Sequence, residues 1–204
     1  MDRPPKSIAG VMKRWVPVTA TLAPVVPVAA WLLAQHHQDP GYSAVRQTIS
    51  VLAEPGSHDR WIMTAGLFLL GSFQLLTAAG LTEAPRIARI FLGIGGTATA
   101  MTAVFPQPEC GHIIAAGIAF AAFALWPAFA QLPDRRAGIL ASVMTVAALA
   151  WFAAQMAGGQ YLGLSERVLA AGEAVWPLAV VLQIRAARSP TQARSAPSPT
   201  AIHQ

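Results

Sequence analysis

The sequence predicts an all-α, polytopic integral membrane bundle of six transmembrane helices, with a short amphipathic helix in the first outer loop. Three observations carry this. Of 204 residues, 54% are hydrophobic and 11% charged, where a soluble domain carries about a quarter charged. Six apolar runs approach the roughly 20 helical residues that a hydrocarbon core of about 30 Å requires. The basic residues gather at alternate ends of those runs, as topology signals do.

The elements follow in order. Residues 1–14 hold Arg3, Lys6, Lys13 and Arg14 and read as a cytoplasmic N-terminal segment. The first apolar run, Trp15 to Gln35, is longer than a signal-peptide core and contains Pro17, Pro24 and Pro27, so it is expected to be a retained span. Between Tyr42 and Leu52, apolar residues recur at Tyr42, Val45, Ile49 and Leu52, the spacing of a helix lying on the end of the bundle. Pro55-Gly56 ends it, and Ser57 or Asp59 is expected to cap the second span.

That span runs from Trp61 to Leu81, and the next from Ile90 to Phe105. The small residues Gly93, Gly95, Gly96 and Ala100 let the third helix approach a neighbour, inside the bundle or across a dimer face. Further spans run from Ile113 to Leu132, Gly138 to Ala157 and Val168 to Ile184. The transmembrane domain thus covers 15–186, and the Ser-, Pro- and Ala-rich tail 187–204 is expected to be disordered. Helices are the expected form because spans in lipid must satisfy their own backbone hydrogen bonds.

Of the 14 Lys and Arg, all but Arg46, Arg60 and Arg167 fall on one side of this arrangement. The positive-inside rule makes that side cytoplasmic, with both termini in the cytoplasm of a cell-membrane protein. The net charge of +5 and pI of about 10.4 therefore do not point to nucleic acid, since the cations lie at span ends and not on a polar face. A single cysteine, Cys110, excludes an internal disulfide and any CxxC site.

Most remaining histidines and acids sort to the outer side: His36, His37, His58, His112, Asp39, Glu54, Asp59, Glu109 and Glu166, against Glu83 and Asp134 in the inner loops and His203 in the tail. Arg46 reads as the inward cation of a lid or as part of a simple plug. His112, Glu109, His58 and the other histidines have no paired ligand spacing on one helix, so no metal or cofactor is assigned. Glu173 lies about 10 Å below the outer boundary at 1.5 Å per residue. A carboxyl group there is costly unless it faces a cavity or a partner such as Gln74, Thr102 or Gln155. Glu166 lies two turns earlier on its face and Trp176 one turn deeper.

The run Gly41 to Leu52, then Arg60 to Gly66, then Phe105-Pro106 followed by His112, resembles a family of prokaryotic six-span membrane proteins catalogued as domain of unknown function 998. The resemblance covers roughly residues 15 to 185 and rests on Ser50, Phe105-Pro106 and His112. Val51 stands where an Ile-Ser-Glu-Leu run of the family would put an acid, with Glu54 as the nearest substitute. The resemblance implies the six-span fold and no established activity.

Two functional expectations from different classes result. In the first, an outward-facing polar pocket binds or transforms a lipid-like or isoprenoid molecule by acid catalysis. Glu173, His112 and Glu109 would form the catalytic group, and Arg46, Ser50, Trp176 and His58 would bind substrate. In the second, the protein is non-catalytic: a complex subunit, a sensor or a lipid organiser; in either case the bilayer and a second copy of the chain are the expected partners. A small transporter is a weaker third.

Overall fold

The computed structural model describes residues 11–130 and 135–194. Residues 1–10, 131–134 (with Asp134) and 195–204 lie outside the description. Six α-helices make up the bundle: α1 (Val16–His36), α2 (Trp61–Gly80), α3 (Arg86–Val104), α4 (Cys110–Phe129), α5 (Arg135–Gln155) and α6 (Leu162–Arg194). All six are long and apolar enough to cross a membrane, α6 over Leu162–Ala187. There is no strand among the described residues. This is a multi-pass membrane protein.

Each helix packs on its neighbour in sequence, and α6 closes the ring against α1 while also touching α4. Large apolar side chains such as Leu32, Leu33, Phe68, Ile113, Ile114, Met144 and Leu182 point outward, which suits a lipid solvent and no other. The loop between α1 and α2 covers one end of the bundle, called here the loop end. The opposite end carries Lys13, Arg86, Arg89, Arg135 and Arg185 and is called the basic end.

Glycine sets the closest approach. A methyl group on Gly71 of α2 would meet the Gly96 oxygen and Ala100 nitrogen of α3 at 2.5 Å, and Gly95 receives the Phe123 ring of α4. The small residues of α3 are thus spent inside the bundle, the first of the two roles that their spacing allowed. Around them Val16, Ala20, Leu81, Leu92, Phe123, Trp126 and Val180 form the core of the basic half.

In this half Trp126 Nε1 and Trp176 Nε1 have no partner, while Arg89 and the backbone beside Pro127 are matched to neighbours. Arg89 Nε and Nη2 donate to the carbonyls of Ala78 (2.8 Å) and Ala79 (3.0 Å) at the end of α2, where a helix has orphan acceptors and a negative dipole end. Pro127 interrupts the α4 ladder, and α5 answers it. Ser142 Oγ accepts from Ala128 N at 3.0 Å, and Thr145 Oγ1 donates to Ala124 O at 3.1 Å. Hydroxyls of a neighbouring helix meet backbone groups beside a membrane proline in this way. The same bonds, with Gly138 pressed against Pro127, hold α4 to α5 near the basic end. Toward the loop end the buried residue of α5 is Phe152.

Three elements differ from the sequence reading. The segment Tyr42–Leu52 is not a continuous amphipathic helix. It is a set of turns followed by a 3-10 helix at Ser50–Ala53. Its carbonyls at Ala44, Val45 and Gln47 bond to α6, so tertiary partners replace the intrahelical ones. The start of α2 has no side-chain cap; Ser57 Oγ donates to Val51 O and Asp59 bonds to His37. Finally, α6 begins at Leu162 and runs to Arg194, past 187, where the tail was expected to start.

Candidate functional site

The loop over the bundle is built around two adjacent residues of α6. Glu166, buried, accepts a hydrogen bond from the backbone N–H of Ile49 and another from Ser50 Oγ at 3.3 Å. Arg167 Nη1 donates to the carbonyls of Ala44 (2.8 Å), Gln47 (2.9 Å) and Gly163 (2.9 Å), and its Nη2 donates to the Tyr42 hydroxyl. The N–H of Leu164 reaches Val45 O at 3.0 Å. Gly163 is required for this contact, because a Cβ there would collide with the Ala44 and Gln47 carbonyls. A carboxyl that meets donors and a guanidinium that meets acceptors clamp a loop lacking regular structure of its own. Burial raises the Tyr42 phenol above its ordinary 10.0, with Arg167 opposing the shift.

Beside the clamp, α4 and α5 separate. The space between them is a groove of about 400 Å³ lined by Ile113, Gly117, Phe120, Leu149, Phe152 and Met156, with Arg46, Ser50, His112 and Glu166 at its polar end. Ile113, Gly117 and Met156 are exposed, so the groove opens on the lipid-facing side of the bundle. Phe120 and Phe152 meet edge to face across it, centroids 5.5 Å apart.

A second cavity, of about 60 Å³, lies at mid-depth between α2, α3, α4 and α6. Ser50, Ala116, Phe120 and Glu166 line both spaces, which therefore adjoin. Gln74, Thr99, Thr102 and Glu173 line the inner one. Gln74 is fully buried and Glu173 is 3% exposed, yet both amide atoms of Gln74 and Oε1 of Glu173 have no hydrogen-bond partner. Leaving such a group unsatisfied costs about 1–3 kcal/mol. None of the neighbours considered for Glu173 bonds to it: Thr102 donates to Thr99 O, and Gln155 accepts from Tyr161 N. With α6 starting at Leu162, Glu173 stands about 16 Å along the helix, deeper than the sequence reading placed it.

His112 is buried in the first turn of α4 and bonds through Nδ1 to Phe105 O at 2.8 Å. A carbonyl only accepts, so Nδ1 carries a proton in this bond. The other ring nitrogen, Nε2, has no partner. The Phe105-Pro106 turn thus orients the histidine that follows it.

The structure groups some of the expected residues and separates others. Ser50, His112 and Arg46 line the groove, and Glu173 lines the adjoining cavity. Arg46 is exposed at the rim; the inward-facing cation is Arg167. Glu109 is the exposed residue preceding α4 and lines neither space. His58 is exposed and faces Asp39 at 3.5 Å. Trp176 packs against the core of the basic half. His37 Nδ1 bonds Asp59 Oδ2 at 2.6 Å, and this bond holds the Asp59 carboxyl below its ordinary 3.8. No group of three or more potential metal ligands occurs among the described residues. The acid that bonds to Ile49 and Ser50 in this loop is Glu166 of α6.

Sequence reasoning missed Gly163, Glu166 and Arg167 as a unit. The available signal was a glycine four residues before an arginine, beside an acid. It was hidden by starting the last span at Val168, which left both charges in a loop where they are unremarkable.

No curated protein and no solved structure matches the chain. A family model described as a protein of unknown function, DUF998, matches residues 21–183, from the first span to the last. The clamped loop, the groove and the inner cavity all fall within that match, and the chain belongs to the DUF998 family of membrane proteins.

Proposed function

We propose that this protein binds a lipid-like molecule, isoprenoid or acyl in character, in the groove between α4 and α5. Its chain lies along Ile113, Gly117, Leu149 and Met156, and its polar end points past Ser50 and Glu166 toward the inner cavity. One observation carries the reading: an apolar groove open to lipid adjoins buried polar atoms that no protein group satisfies. Ligand sites combine an apolar wall with a few convergent polar groups in this way. A volume of about 400 Å³ suits one chain of modest length. The cations at the basic end put that end in the cytoplasm by the positive-inside rule, so the groove draws from the outer leaflet of the cell membrane. Acid catalysis on the bound molecule would fall to Glu173, the buried carboxyl with an oxygen free to bond.

The test uses two glycines with open space around them, Gly117 in the groove and Gly172 on the outer surface of α6. The protein is purified in nanodiscs and its bound lipids are identified by mass spectrometry. Gly117→Leu fills the groove and is expected to lose a molecule that wild type and Gly172→Leu retain. Equal retention by both variants refutes the reading. Once a reaction is identified, Glu173→Gln is expected to keep binding and lose turnover; full activity in that variant removes acid catalysis by Glu173.

A further inference from the structure

We infer that the polar end of the bound molecule is an uncharged hydroxyl, received by Gln74 and Glu173 in the inner cavity; this rests on the groove being the binding site. Three observations lead there. First, no Lys, Arg or His lines the inner cavity, whereas two carboxyl groups, Glu166 and Glu173, do. In neither protonation state does a carboxyl supply positive charge, so a phosphate or carboxylate would be buried as an uncompensated anion at a cost of several kcal/mol.

Second, the free hydrogen-bonding capacity is mixed. Thr99 and Thr102 donate their hydroxyl protons to their own helix, to Gly95 O at 2.9 Å and Thr99 O at 2.7 Å, and turn only lone pairs to the cavity. Gln74 Oε1 and Glu173 Oε1 are unengaged, and so is the Gln74 amide nitrogen, which is a donor. A hydroxyl both donates and accepts, so it meets the Gln74 amide at both of its atoms. An ammonium group satisfies the acceptors and leaves the Gln74 N–H without a partner.

Third, the size agrees. About 60 Å³ holds a hydroxymethyl end with a water or two, while the chain behind it stays in the groove past Phe120, which lines both spaces.

The experiment measures binding of farnesol, farnesyl phosphate and farnesyl amine to the full chain in nanodiscs by equilibrium dialysis. Farnesol is expected to bind at least about tenfold more tightly than either charged analogue, the worth of one buried hydrogen bond. Gln74→Met, close to the native volume, is expected to bring farnesol within about threefold of farnesyl amine, while farnesyl phosphate, still without a cation to meet it, stays the weakest of the three. Glu173→Met is the second variant, expected to narrow the preference in the same direction should the first fail to fold. Phosphate or amine binding as tightly as the alcohol, with all three lost in Gly117→Leu, overturns the hydroxyl assignment and leaves the groove reading standing. No binding that depends on Gly117 overturns the groove reading itself.

Discussion

Two hollows of nearly equal volume lie on opposite ends of this bundle: about 400 Å³ between α4 and α5 at the loop end, and about 390 Å³ between α2 and α3 at the basic end. The second is lined by Arg86, Arg89, Leu75 and Ile90, and the arginines make it look the more inviting. Yet Arg89 is already committed to the Ala78 and Ala79 carbonyls, and that hollow touches no buried side chain lacking a partner. The groove has His112 Nε2 in its wall and adjoins the cavity of Gln74 and Glu173. Volume therefore does not distinguish a site here. Unsatisfied buried polarity does, because a fold that leaves such groups unpaired loses stability for it.

The openness of the groove is tested most forcefully against the packed α2–α3 contact. Gly71→Leu places a side chain against α3 backbone, and is expected to cost about 3 kcal/mol or more, or to prevent folding. Gly117→Leu enters open space and is expected to leave the melting temperature in detergent within a degree or two, since leucine also favours helix over glycine. Equal losses would mean that the groove is as well packed as the α2–α3 contact.

Next in size is the clamp. Arg167→Ala removes a charged donor from Ala44 O, Gln47 O and the Tyr42 hydroxyl, and is expected to cost roughly 2–3 kcal/mol. Limited proteolysis should show cleavage between residues 37 and 60 before the helices melt. Arg46→Ala, at the exposed rim, is expected to change neither, which separates the two cations that the sequence alone could not rank.

A smaller effect probes the inner cavity. Gln74→Leu removes an amide with no protein partner. In protein stripped of lipid, stability is expected to rise by about 1 kcal/mol; with the lipid restored, the gain should vanish. A loss in the stripped protein would show that Gln74 is satisfied without a ligand.

The smallest effects are in pH. The Asp59 carboxyl is held down by its bond from His37, so its contribution is present above about 3.8 and fades as pH falls through the lower folded value. Burial raises Tyr42, so its contribution is present below about 10 and is lost as pH rises past that. In a Tyr161→Phe background, the phenolate absorbance should report Tyr42 alone, titrating above 10.0; titration at or below that value would place the phenol in water and weaken the clamp.

How much was legible beforehand depended on the kind of residue. The spans were legible because hydropathy and backbone satisfaction act locally: an apolar run such as 61–80, rich in Leu, Ala and Phe, must be helical in lipid. Glu173 stood out because an ionisable group within a span is costly, and Ser50 and His112 because they carry the family resemblance. The linkage of Glu166 to Ile49 and of Arg167 to Ala44 joins residues more than a hundred positions apart, and no periodicity encodes such a pairing. Glu109, His58 and Trp176 were grouped with the site by sequence proximity and topology, and side-chain direction separated them from it.

By itself, then, the sequence determined the six spans, the covering loop on one end and the membrane family. Each of these follows from the transfer of single side chains and peptide groups between water and lipid. Only the tertiary structure decided that the loop stays mostly non-helical, that Arg167 and not Arg46 turns inward, and that α4 and α5 part beside Glu166. Those outcomes depend on which distant donor meets which acceptor, and on where glycines let backbones touch.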